Sequence, residues 1–186
     1  DGERIAINLD ADNLLSQPAR NLPATPLAWH YRSRHESLIS FSNAAFYEGR
    51  LITIPDQRLN DAASGILSLA SEAQDAGAQG VSAILDKPIS YHRITDGVYL
   101  GRSNTPEARY IARLVREILG RETGHSLGIV AFSEAQQTEI ESALEALATE
   151  DPAFATRLEQ EEIREDDGQF AGLFVKNLEN VQGDER

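Results

Sequence analysis

The 186 residues carry 17 basic and 30 acidic side chains, a net charge of −13, with 41% apolar and 25% charged residues. That length suits one sizeable α/β domain and is tight for two, and the composition is that of a globular chain rather than a disordered one. With no cysteine there is neither a disulfide framework nor a cysteine zinc site, and the longest apolar runs, near Leu127–Phe132 and Gly172–Val175, fall far short of the roughly 20 residues of a membrane span.

No leader-like stretch opens the sequence, so a reducing, cytoplasmic setting with no membrane partner is expected. A chain without methionine that begins at Asp1 and stops at Gln182-Gly183-Asp184-Glu185-Arg186 reads as an internal piece of a longer protein. Residues 134–167 hold twelve acidic side chains against Arg157 and Arg164, a balance of −10, which leaves −3 for everything else. The block reads as a solvated helix face, so the acidity is local and leaves the rest of the surface open to an anionic partner.

In chain order, Arg4–Leu9 alternates polar and apolar residues and predicts a short strand, after which Pro18, Pro23 and Pro26 enforce an irregular connection. Ser33 and Glu36 have capping-box spacing ahead of a helix whose stripe is Leu38, Phe41 and Ala45 and whose stop is Gly49. Arg50–Pro55 is expected to be extended, and Gln57–Gly80, rich in Ala, Ser, Asp and Gly, to be a flexible surface excursion. A strand is predicted within Ile94–Leu100, interrupted by Asp96-Gly97.

Thr105-Pro106 opens a helix with a hydroxyl cap, a buried face of Ala108, Ile111, Ala112, Val115, Ile118 and Leu119, and Gly120 as its close. Ser126–Phe132 predicts a buried strand, and Ser133 with Gln136 caps a helix striped by Ile140, Ala143, Leu144 and Leu147. Asp151-Pro152 opens a further helix, and Leu173-Phe174-Val175 predicts a last strand running into Asn177. Strands alternating with helices predict an α/β fold with a parallel sheet flanked by helices.

The chain has no phosphate loop, no dinucleotide fingerprint and no nucleophile elbow. Its four histidines are scattered. Glu161, Glu162, Glu165, Asp166 and Asp167 could hold a hard cation, but without loop spacing they fit a charged helix better, and no metal site is assigned. Two places could each contribute part of a site. Tyr31 could stack on a base while Arg32, with its permanent charge and planar fork, meets a phosphate; alternatively, Tyr31 packs on Trp29 and Arg32 pairs with an acid. Asn177–Glu185 leaves the end of a strand, where α/β sheets place ligands, and offers the Gln182 amide, the unobstructed backbone of Gly183 and the Glu185 carboxylate.

Taken in order, three segments resemble the second motor domain of superfamily 1 helicases of the Upf-like branch. They are Tyr31-Arg32 followed by Phe41, Asn43, Phe46 and Tyr47; Gly128–Gln136; and Asn177–Glu185 with its Gln182-Gly183-Asp184-Glu185. The resemblance implies a RecA-like lobe of the P-loop NTPase type without the phosphate loop itself. Residues 1–26 would lead in from a preceding lobe, and 27–186 would form the second lobe, truncated at its C-terminal end. It further implies ATP held with Mg²⁺ against a first lobe that carries the phosphate loop and the metal-binding acid.

In that arrangement Tyr31 lies against adenine, Arg32 is an arginine finger, and Gln182, Gly183 and Glu185 line the ATP cleft. Asn177 and Ser133 face single-stranded or duplex nucleic acid, DNA before RNA. The middle segment departs from the family pattern TPYRAQ, with Ala131, Phe132, Ser133 and Glu134 in its first four places. Two readings follow: the motor lobe of an ATP-dependent helicase or translocase, inactive in isolation, or a catalytically degenerate RecA-like scaffold whose acidic helices dock proteins.

Overall fold

Helices joined to short parallel strands make up the computed structural model, which describes residues 22–23, 25, 27–30, 33, 35–54 and 67–181. The chain divides into two units, residues 1–57 and 58–186. The strand expected at Arg4–Leu9 lies outside the described residues.

In the first unit, helix α1 spans Glu36–Phe46. A parallel bridge joins Trp29 to Ile52, with the Ile52 N–H donating to the Ala28 carbonyl at 2.7 Å. The Asn43 side chain binds both backbone groups of Leu51, accepting from its N–H at 2.9 Å and donating to its carbonyl at 3.1 Å. A planar amide thus replaces a neighbouring strand and fixes the helix to the extended segment. The chain turns through Glu48 and Gly49 at φ 55° and 70°, and the Gly49 N–H closes on the Asn43 carbonyl at 2.8 Å. The expected capping box does not form. The helix starts at Glu36 with His35 as N-cap, so Ser33 is too early and its hydroxyl lies 2.9 Å from His30 Nε2, while Glu36 accepts from Thr53 Oγ1 at 2.8 Å.

The second unit runs β1 (Leu67–Ser71), α2 (Ala78–Asp86), β2 (Ser90–Ile94), α3 (Thr105–Gly120), β3 (Gly128–Ala131), α4 (Glu134–Glu150), α5 (Pro152–Glu162), β4 (Glu165–Asp166), β5 (Gln169–Phe170) and β6 (Phe174–Asn177). β1 pairs parallel with β2, from Leu67 opposite Ser90 to Ser71 opposite Ile94. β3 pairs parallel with β6, from Gly128 opposite Phe174 to Ala131 opposite Asn177. Both crossovers contain helices, as parallel pairing requires.

α3 is the centre of the unit. Ala108, Ala112 and Val115 pack with Ala131, Ile140, Leu144 and Phe154, while Tyr110, Leu114 and Ile118 pack with Ala76 and Val81. A single stripe was expected; the second, spaced i, i+4, i+8, makes the helix a partition between two cores.

Other differences have local causes. The supposed excursion contains β1 and the start of α2, and residues 57–66 lie outside the described ones. Its small residues serve contact: a Cβ at Gly80 would stand 2.9 Å from Tyr110 Oη. The strand expected at 94–100 ends at Ile94, because Thr95 and Asp96 turn and Asp96 Oδ1 accepts from the Ala73 N–H at 2.9 Å. The cap of α3 is Asn104, whose Oδ1 accepts from the Glu107 N–H at 3.3 Å, and Gly120 is its last helical residue rather than its stop. β3 is shorter than expected and buried on one side only, with Ala131 inside and Val130 out. Asp167-Gly168, at φ 49° and 75°, turns the β4–β5 hairpin that the acidic composition concealed. The Ser133 and Asp151 caps form as expected.

Between the ladder β1–β2 and α3, His92 Nδ1 lies 2.6 Å from Tyr110 Oη and Nε2 lies 3.0 Å from Ser90 Oγ. Burial holds the His92 pKa below its ordinary value of 6.5. The folded protein therefore binds fewer protons at this ring than the unfolded chain, so its contribution is complete above about pH 6.5 and is lost as pH falls. Urea titrations should show stability dropping below that pH, and His92→Gln should flatten the drop. An unchanged slope in that variant would contradict the assignment.

Candidate functional site

The carboxyl edge of β3–β6 ends at Ala131 and Asn177, which are register partners, and the Leu178 N–H extends the pairing by donating to the Ala131 carbonyl at 2.9 Å. This is the edge at which open α/β sheets take ligands. Asn177 is buried, and its Oδ1 accepts from the Asn180 N–H at 3.0 Å, forming a turn that directs residues 178–181 away from the strand.

Two residues beyond Ala131, Ser133 is buried and fully engaged. Its Oγ donates to the Arg102 carbonyl at 2.6 Å and accepts from the Gln136 N–H at 3.2 Å. Gln136, also buried, binds both backbone groups of Asn104: Oε1 accepts from its N–H at 2.5 Å and Nε2 donates to its carbonyl at 3.4 Å. Asn104 Oδ1 in turn accepts from the Val98 N–H at 3.2 Å while capping α3. Two side chains, Ser133 and Gln136, thus join the loop after β2 to the loop after β3, and Asn104 orders the first of these loops. Arg102 sits at φ 67° and Gly101 at φ 62°, a left-handed pair that an L residue tolerates at a cost of about 1–2 kcal/mol. The Ser133 bond to the Arg102 carbonyl helps hold that geometry.

Of the residues singled out in the sequence, Asn177 lies at this edge opposite Ala131, and Ser133 follows Ala131 by two residues. Tyr31, Arg32, Gln182, Gly183 and Glu185 lie outside the described residues. Gln136 was read only as a capping partner, whereas its amide reaches across to the other loop. Asn104, directly before Thr105-Pro106, was the readable sign of a cap one residue earlier.

In the acidic cluster, Glu161 is buried and pairs with Arg164 at 3.1 Å, and Arg164 also donates to the His125 carbonyl at 3.0 Å and to the Gly124 carbonyl. Among the described residues no group of three or more His, Cys, Asp or Glu side chains is placed to hold a metal ion. A cleft of about 420 Å³ between α3 and α4 presents both signs of charge through Arg109, Arg113, Glu139 and Glu150.

Parallel strands flanked by helices, with loop residues gathered at the carboxyl edge, define an α/β domain of the RecA-like P-loop NTPase type. The chain belongs to the AAA domain family, whose pattern it matches over residues 12–186. It is similar to the uncharacterized ATP-dependent helicase MG140 of Mycoplasma genitalium, with 31% identity over 167 residues, covering 87% of this chain and 12% of that protein. A homolog of MG140 in Mycoplasma pneumoniae is 30% identical over 164 residues, again 87% of this chain and 12% of the relative. The chain therefore spans 12% of the length of these relatives, and it is helicase-like over most of its own. No solved structure matches it.

Removing the Gln136 amide takes away the partner of both backbone groups of half-buried Asn104, two hydrogen bonds that together contribute about 1–3 kcal/mol. Gln136→Ala should lower the unfolding free energy of the second unit by that amount in urea, and Gln136→Glu should lower it at least as much at neutral pH, because it buries a charge and turns an acceptor toward the Asn104 carbonyl. An unchanged midpoint in the alanine variant would show that the two loops are held by other contacts.

Proposed function

We propose that this chain is the second motor lobe of an ATP-dependent superfamily 1 helicase or translocase that acts on nucleic acid, DNA in preference to RNA, from a cytoplasmic location. The observation that supports it most is the likeness to proteins named ATP-dependent helicases over 87% of the chain. The lobe is residues 27–186, with 1–26 leading in from the preceding lobe of the same protein. No described helix is long and apolar enough to cross a membrane.

In this reading ATP and Mg²⁺ sit between two lobes, the metal held by an acid of the first. Tyr31 lies against adenine, and Gln182, Gly183 and Glu185 line the ribose and phosphate side. Arg32 stabilises the charge that develops on the transferring phosphoryl group, the role of an arginine finger. Binding draws the lobes together and hydrolysis releases them, moving a strand along the edge to which Asn177 and the Ser133 loop belong. With its hydroxyl committed to Arg102 and Gln136, Ser133 serves by shaping that loop.

A second reading, a RecA-like scaffold without catalysis, is favoured by the −10 balance over residues 134–167 and by Ala131 and Glu134 in the middle motif. The two separate cleanly in a protein that spans both lobes. ATPase activity stimulated by nucleic acid is expected, and Arg32→Ala should lower kcat by about 10³-fold or more with little change in KM. Full turnover in the variant would take Arg32 out of the mechanism. No turnover in the unmutated protein would favour the scaffold.

A further inference from the structure

Large apolar side chains are exposed together in the two loops that Ser133 and Gln136 join. Phe132 is 89% exposed, Leu100 79% and Tyr99 66%, with Val98 in the same loops and Leu178 after β6 also open to solvent. Phe132 stands between buried Ala131 and buried Ser133 in an extended run, Ser133 having φ −145° and ψ 155°, so alternation forces the ring outward. Tyr99 and Leu100 ride on a turn closed by Leu100 N–H to the Ser103 carbonyl at 2.9 Å and Ser103 N–H to the Leu100 carbonyl at 3.2 Å. Arg102 follows, exposed and without an ion-pair partner among the described residues, its backbone held by Ser133. Large apolar side chains left exposed on loops that a buried hydrogen bond joins, Ser133 Oγ to the Arg102 carbonyl, are the kind of surface that marks an interaction site.

We infer that Tyr99 and Phe132 form a stacking platform for the bases of single-stranded nucleic acid, with Arg102 as its phosphate contact. The inference rests on the helicase reading and adds to it Tyr99 and Arg102, which lie outside the segments that carry the resemblance, and Phe132, which lies within the middle one. Aromatic faces stack on any base, and a planar guanidinium meets a phosphate or stacks beside them. Single strands expose the base faces that a duplex hides. Glu134, at the start of α4, and Glu179, after β6, are also exposed, so affinity comes chiefly from stacking, and Arg102 alone contributes about 0.7 to the slope of log affinity against log salt.

The test compares a twelve-nucleotide oligothymidine with an abasic strand of the same backbone, by fluorescence anisotropy on the full protein that contains this chain. The unmutated protein should bind oligothymidine at least tenfold tighter. Tyr99→Ala with Phe132→Ala should weaken oligothymidine binding about 10- to 100-fold and leave abasic binding and strand-independent ATPase unchanged, while Phe132→Tyr retains binding. Arg102→Ala should weaken both strands alike. If the double variant still prefers oligothymidine as the unmutated protein does, or if the unmutated protein binds the two strands equally, the platform is refuted and the helicase reading stands. If the unmutated protein binds neither strand, both fail together.

Discussion

One neutral amide holds the carboxyl edge of β3–β6 to the loop after β2. Gln136 reaches from the first turn of α4 and satisfies both the N–H and the carbonyl of Asn104, as a neighbouring strand would. Because the pair is uncharged, it can be buried without the desolvation penalty of an ion pair, and because it has two points it fixes orientation as well as distance. Asn104 passes the constraint on by capping α3 and by holding Val98. The loop after β2 is thereby set against the loop after β3, and Ser133 completes the join at Arg102.

Behind that edge, α3 gives the loops a rigid base. Ala108 and Ala112 let the β3–α4–α5 core come close on one side, while Tyr110, Leu114 and Ile118 fill the space beside α2 and β2 on the other. At the same join Gly80 leaves room for the Tyr110 hydroxyl, which His92 then partners. The first unit uses a related device on a smaller scale, with Asn43 standing in for a strand beside Leu51. In both cases a side-chain amide supplies the backbone partners that a short ladder lacks.

The sequence was most legible where the signal is local. Asp151-Pro152 and Ser133 are caps that act within one turn, and both formed. The α/β alternation and the segments resembling a helicase lobe were readable because each is a contiguous pattern, and the family match over residues 12–186 agrees with them. β1 and α2 were missed because small residues look alike whether they face solvent or allow close contact; Gly80 is explained only by Tyr110, thirty positions away. The exposed face of β3 was missed for a similar reason, since a short apolar run does not reveal which of its sides is covered. At the site, Ser133 and Asn177 were found but their partners were not, because the bonds from Ser133 and Gln136 to Arg102 and Asn104 span more than thirty residues. Tyr31, Arg32, Gln182, Gly183 and Glu185, proposed to face the nucleotide, lie outside the described residues, and that role stands on the resemblance.

Amide hydrogen exchange at Asn104 tests this joining of the loops most directly. Its N–H, held by the Gln136 side chain, should exchange as slowly as the interior amides of α3, through opening of the whole second unit. Exchange at the rate of an open surface loop, with α3 still protected, would show that the two loops move independently and that the edge is not the preformed surface described above.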